Sequence, residues 1–167
     1  MIMSSENHKK SAPKSLNYGV ITVSDSCYKG VAEDKSGNHI KEKLSKDNIV
    51  VKTVIVPDEK DLIEKALYDI LPDVDCVVTT GGTGITKRDV TIQTIRPHFD
   101  KEIPGFGEIF RYLSFREISY PGIISGATAG TIGDKIVFCL PGSLNAAKLG
   151  SDIIVSEAAH MIKHLRE

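Results

Sequence analysis

Four short polar segments hold the residue types that could do chemistry: TVSDS (22–26), VPDE (56–59), TTGGTGITKRDVT (79–91) and LPGS (140–143). Asp58 and Asp89 are the carboxylates among them that could share one Mg²⁺. That ion keeps several waters and takes one or two carboxylates plus phosphate oxygens. Gly81, Gly82 and Gly84, with Thr83 between them, let the backbone turn sharply and let a ligand approach the main chain. Amide groups exposed there, next to a helix start, favour an anion. Lys87 and Arg88 are the obvious partners for phosphate charge, or else solvated cations. Pro141, Gly142 and Ser143 offer a second anion seat. Each side chain also has a plainer reading: Asp58, Asp89 and Ser143 could simply cap the helices that follow them. The glycine segment is not a P-loop, because position 86 is Thr, and not a dinucleotide fingerprint, because position 87 is Lys. No nucleophile stands out and there is no G-x-S-x-G elbow. That suits phosphoryl or nucleotidyl transfer, in which the attacking oxygen belongs to the substrate.

The elements between these segments must bring them together. LNYGVITVSD (16–25) and VVKTVIVPDE (50–59) are β-branched runs that read as strands. DCVVTTGG (75–82) is apolar without alternation, as in a parallel strand buried on both faces. Ile40 and Leu44 mark a helix over 36–47. Leu62, Ile63, Ala66, Leu67, Ile70 and Leu71 mark an amphipathic one over 60–71. A helix over 90–99 is ended or bent by Pro97. Further helices are expected at 104–118 and 143–166, and two strands around a turn near Gly133-Asp134 within 122–142. The loop 26–37 is rich in Gly, Ser and Asp. Alternating strands and helices imply right-handed crossovers and a mostly parallel sheet covered on both faces, with an antiparallel late element: a three-layer α/β/α sandwich. Ligands of such folds sit beyond the carboxyl ends of the strands, where all four segments fall. Asp58 is expected to end the strand neighbouring the glycine loop.

The totals set bounds. The chain has 167 residues, enough for one domain with a sizeable core. Residues 1–14 read as a polar mobile tail and 15–167 as the domain. A net charge of −1 argues against a nucleic-acid surface. No apolar run is long enough to cross a bilayer, and the N-terminus lacks a signal peptide's apolar core. Three cysteines (Cys27, Cys76, Cys139) cannot all pair within the chain and show no CxxC spacing, which fits a reducing cytoplasm. His160 and His164 share a helix face without the acidic residue of a zinc-protease motif.

The four segments, together with DKSG (34–37), KEIPGFGE (101–108) and SGATAG (125–130), resemble in order the MoaB/Mog family of molybdenum-cofactor biosynthesis, over about residues 17–160. FGEIFRYLSFREI looks more like the MoaB branch than the MogA branch. The resemblance implies the same sandwich fold and an activity: adenylylation of molybdopterin by ATP with Mg²⁺, releasing pyrophosphate. It places the catalytic, Mg²⁺-holding carboxylates at Asp58 and Asp89 and the ligand loop at Gly81, Gly82, Thr83 and Gly84. Ser24 and Asp25 fall on the first-strand motif, and Pro141, Gly142 and Ser143 on the last. It implies a homo-oligomer, a hexamer built as a dimer of trimers ahead of a trimer. Phe106, Phe110, Tyr112, Phe115 and Tyr120 are either core or the subunit interface, where aromatics are enriched. Gly126 departs from the pattern, since many members carry an arginine there; this leaves open a member that binds molybdopterin or its adenylate without catalysing the transfer.

Overall fold

A computed structural model describes residues 12–167; of the tail expected over 1–14, residues 1–11 lie outside the described residues. Six strands form one sheet: β1 (Asn17–Val23), β2 (Ile49–Val56), β3 (Cys76–Thr80), β4 (Lys101–Glu102), β5 (Thr128–Ile132) and β6 (Lys135–Leu140). Six helices accompany them: α1 (Asp25–Tyr28), α2 (Lys35–Leu44), α3 (Lys60–Ile70), α4 (Thr91–Ile95), α5 (Pro104–Ile118) and α6 (Leu144–Leu165). The sheet order is β2-β1-β3-β6-β5-β4. β2, β1, β3 and β6 run parallel, while β5 is antiparallel to β6 and to β4.

Side-chain alternation explains the layers, because successive residues of a strand face opposite sides. Tyr18, Val20, Cys76, Val78, Ile136, Phe138 and Leu140 meet Ile40 and Leu44 of α2, Phe106 and Phe110 of α5, and Ala147, Ile154, Ala158 and Ile162 of α6. Ile21, Val23, Val77, Val137 and Cys139 meet Ile63, Leu67 and Ile70 of α3 and Ile95 of α4. The sheet is thus sandwiched as expected, and β3 is buried throughout. Gly133-Asp134 turns the β5–β6 hairpin, with Gly133 at φ +58°.

Several details differ from the sequence expectation. β1 lies between β2 and β3, so Asp58 does not end the strand next to the glycine loop. The reason is the reversal of winding. The chain leaves β1 for β2 through α2 on one face, then returns past β1 to β3 through α3 on the other. The carboxyl ends of β1 and β3 are therefore the topological switch point, where a crevice must open. Leu62 is turned away from the α3 core face and is exposed. The loop 26–37 contains α1 and the start of α2. Pro97 ends α4 by converting it to a 3₁₀ turn, Arg96–His98. The two-residue β4 is too short to carry a periodic signal in the sequence.

Candidate active site

The crevice at the switch point is a cleft of about 760 Å³. The four polar segments meet there: Ser24 after β1, Asp58 after β2, Gly81 to Gly84 and Asp89 after β3, and Pro141 to Ser143 after β6 all line it. Asp25 and Arg88 do not; Lys87 does not either.

The glycine loop is built by close approach. Gly81 has φ +100°, and a Cβ there would run into the carbonyl oxygen of Val23 on β1. Its amide donates to Leu140 O on β6 (3.0 Å). The fully buried Thr91, at the head of α4, donates from Oγ1 to Gly81 O (2.9 Å) and from its amide to Gly82 O (2.9 Å). The loop is thereby clamped between two strands and a helix before it bulges outward at 84–88.

Neither aspartate is a helix cap. The N-cap of α3 is Glu59 and that of α4 is Val90, and neither side chain makes a capping bond. Asp89 instead closes its own loop: Oδ2 accepts from the amide (2.9 Å) and the hydroxyl (2.6 Å) of Thr86. Those bonds, the hydroxyl's foremost, hold its carboxyl below the usual carboxylate range. Asp58 is locked to Asp25 by a reciprocal pair. Asp25 N donates to Asp58 Oδ2 (3.0 Å) and Asp58 N to Asp25 Oδ1 (3.1 Å). Burial raises the Asp58 carboxyl above its ordinary value, and the charges of Asp25 and Asp89 add to the effect. Both carboxylates lie against the glycine loop. A Cβ at Gly82 would stand 3.1 Å from Asp58 Oδ1, and one at Gly84 would stand 2.8 Å from Asp89 Oδ2. Among the described residues there is no group of three or more His, Cys, Asp or Glu able to hold a metal. A cation here would take these two carboxylates and complete its shell with water or ligand oxygens, the habit of Mg²⁺.

Ser143 does cap α6, its Oγ accepting from Ala146 N (3.1 Å), while also lining the cleft. Two residues of the DKSG segment have parts that sequence reasoning did not assign. Asp34 caps α2 through Gly37 N (2.8 Å) and accepts from Thr22 Oγ1 (2.6 Å). Ser36 Oγ donates to Gly142 O (2.7 Å), sewing α2 to the β6 loop. The spacing D-x-x-G was the available signal for the first; nothing local signals the second, whose partner is distant in sequence. Gly126 lies against the glycine loop, and a Cβ there would collide with the Thr83 carbonyl. Beside it, the buried hydroxyl of Ser125 lines the cleft with no partner among the described residues. Among the described residues the cleft's charged lining is acidic: Glu33, Asp34, Asp58, Asp89 and Glu117, against Lys35 alone as a base.

The family model described as "Probable molybdopterin binding domain" matches residues 19–161. The chain belongs to this molybdopterin-binding family. Its relatives include a molybdopterin adenylyltransferase of Pyrococcus furiosus, 52% identical over 99% of this chain and 100% of the relative. Another is the molybdenum cofactor biosynthesis protein B of Staphylococcus carnosus, 44% identical over 91% and 92%. Among solved structures, the tungsten cofactor synthesizing protein MoaB of P. furiosus superimposes with a TM-score of 0.89 at 53% identity, covering 93% of this chain and 100% of that one. A MogA structure gives a TM-score of 0.83 at 25% identity, covering 89% and 99%. The molybdopterin-binding domain thus spans the switch-point cleft and all four polar segments.

Proposed function

We propose that this protein adenylylates molybdopterin with ATP and Mg²⁺ in the cytoplasm. The observation that carries the reading is the pair Asp58 and Asp89, two cleft carboxylates spared from capping duty and set against one glycine loop. Its support is the adenylyltransferase of P. furiosus, alike over its whole length. An oxygen of the pterin's terminal phosphate attacks the α-phosphorus of ATP; a P–O bond forms and the bond to pyrophosphate breaks. That phosphate is largely anionic near neutral pH, so the chain need supply no general base. Mg²⁺, when bound, offsets charge on the nucleotide and on the leaving pyrophosphate. Asp58 and Asp89 would hold it. The amides of Gly82 and Thr83 and the α6 N-terminus at Ser143 orient phosphate oxygens, and Lys35 adds a cation. Ser125 Oγ offers the substrate a hydroxyl with no other partner.

Assembly belongs to the same reading. Phe106 and Phe110 pack into the core, but Tyr112, Phe115 and Tyr120 are exposed together with Ile109, Ile118 and Ile123. This apolar face at the outer side of α5 suits a second copy of the chain, in a hexamer ahead of a trimer.

The test is direct. The protein with molybdopterin, ATP and Mg²⁺ should yield adenylyl-molybdopterin and pyrophosphate. No product, under conditions where an active relative works, would replace this reading by one of binding without transfer.

A further inference from the structure

We propose that Arg88 is a positioning residue: by gripping Asp25 it fixes the Asp58 carboxylate relative to Asp89, and so sets how tightly the cleft takes a divalent cation. The inference rests on the reading above. It starts from where the guanidinium goes. Arg88 directly precedes Asp89, yet its side chain leaves the cleft and forks onto Asp25. Nε donates to Oδ2 (3.0 Å), and one terminal nitrogen reaches both Oδ1 (2.7 Å) and Oδ2 (2.6 Å). Both Asp25 oxygens are therefore engaged, and the Asp25 carboxyl is held below its ordinary range, chiefly by these bonds. Asp25 in turn accepts the Asp58 amide on Oδ1, and its own amide donates to Asp58 Oδ2. The connection runs Arg88, Asp25, Asp58, and crosses the ends of β3, β1 and β2 in spatial order.

The consequence is geometric. Asp58 Oδ2 is occupied by the Asp25 amide, while Oδ1 accepts no hydrogen bond from the described residues and faces the loop at Gly82. Asp58 is thereby presented through one oxygen, in an orientation fixed by its partner. Asp89 is attached to the residue that supplies the grip. A single dipeptide thus carries one carboxylate and fastens the other. Without the fork, Asp25 keeps its bonds to Asp58 but loses its tie to the loop that carries Asp89, and the two carboxylates gain freedom relative to each other. Outer partners that orient ligating carboxylates are worth about tenfold or more in metal affinity when removed. Lysine cannot replace the fork, because a point cation does not span two carboxylate oxygens.

The test uses Mn²⁺ as the probe, with the full-length protein and a non-hydrolysable ATP analogue, and measures bound metal by electron paramagnetic resonance. In Arg88→Met the Mn²⁺ dissociation constant should rise about tenfold. Arg88→Lys should recover little of that. Asp25→Asn should reproduce the loss, and the double variant should be no worse than either single one. kcat at saturating metal should stay near wild type. Unchanged Mn²⁺ binding in Arg88→Met overturns the inference, even if the variant melts earlier. An ATP KM that rises in Arg88→Met at saturating metal also overturns it, because it makes Arg88 a direct phosphate contact. Failure of the underlying reading shows elsewhere: wild-type protein that binds no Mn²⁺ with the analogue sinks the functional reading and this inference together.

Discussion

Replacing Gly81 by alanine tests the close approach on which the cleft is built. Two costs combine at this position. With φ at +100°, a side chain is strained whatever the space around it, by about 1–2 kcal/mol. The new Cβ would also press on the Val23 carbonyl, whose carbon would lie 3.2 Å away. Val23 belongs to β1, which is paired on both sides, so it cannot retreat. Crowding of that kind costs about 1–3 kcal/mol. Two other glycines separate the terms. Gly133 has φ +58° but open space around it, so Gly133→Ala carries strain alone, about 1 kcal/mol. A Cβ at Gly126 would meet the Thr83 carbonyl without a positive φ, so Gly126→Ala carries crowding alone. For a chain of this size, 1 kcal/mol moves Tm by about 2–4 °C. Gly81→Ala should therefore melt roughly 4–20 °C below wild type and Gly133→Ala about 2–4 °C below. Gly126→Ala should fall between them while weakening nucleotide binding. The assay is thermal denaturation by circular dichroism at one protein concentration, since assembly would make Tm concentration-dependent. If Gly81→Ala melts no lower than Gly133→Ala, the tight contact between the glycine loop and β1 is not there.

The two aspartates should behave oppositely in stability and alike in turnover. Asp89→Asn should cut kcat about 10²-fold or more with the fold intact by circular dichroism; near-full activity would remove Asp89 from the metal site. Because the Asp89 carboxyl is depressed, its contribution to stability is present above its unfolded pKa and lost as pH falls through the folded value. Asp89→Asn should thus be the less stable protein at neutral pH, converging on wild type in acid. Asp58 is raised, chiefly by burial, so its contribution is favourable below the unfolded pKa and lost as pH rises through the folded one. Metal-free Asp58→Asn should then melt above wild type at neutral pH, a gain that vanishes in acid; a loss at pH 7 would contradict the assignment. The acid limb of kcat/KM at limiting Mg²⁺, which reports the metal-free protein, should follow Asp58, above the ordinary carboxylate range of about 4, and should move down as Mg²⁺ saturates. Thr91→Val strips a buried hydroxyl from the Gly81 carbonyl and should cost about 1–3 kcal/mol by denaturant unfolding. Tyr112→Glu with Phe115→Glu should reduce the molar mass seen by light scattering; an unchanged assembly would move the interface elsewhere.

What could be read in the sequence, and what could not, divides along the range of the interactions. The strands and helices were legible because their periods are local: the unbroken apolar run of β3, the turn at Gly133-Asp134, the stripe along α6. That the polar segments share one edge also followed, since parallel strands all end on the same side. The lateral order of the strands did not follow, because a crossover helix spans one strand or two with the same local pattern. Local pattern alone therefore sets Asp58 one strand too near the glycine loop. Leu62 fits the helical stripe yet stands exposed, at the margin of the face that Ile63, Ala66, Leu67 and Ile70 bury. Arg88 looked like a phosphate ligand from its neighbours, but its partner is 63 positions away. The bond between Ser36 and Gly142 spans 106 positions and was invisible for the same reason.

The charge of the cleft bears on how its ligands enter. Five carboxylates and one lysine line a cavity into which the proposed reaction brings a triphosphate and a phosphorylated pterin. At an effective dielectric constant of about 20, two unit charges of like sign at 4 Å repel by about 4 kcal/mol, so phosphates alone would be disfavoured there. Arg88 does not relieve this, because Asp25 has claimed it. Besides Lys35, what remains on the chain is neutral and directional: the amides of Gly82 and Thr83, the head of α6, and the Ser125 hydroxyl. Such groups fix where an oxygen sits but do not offset an acidic lining. On the proposed reaction the offset would arrive with the ligand, the nucleotide entering as its divalent-metal complex. Occupancy by nucleotide should then depend steeply on free Mg²⁺, whereas occupancy by an uncharged adenosine should not.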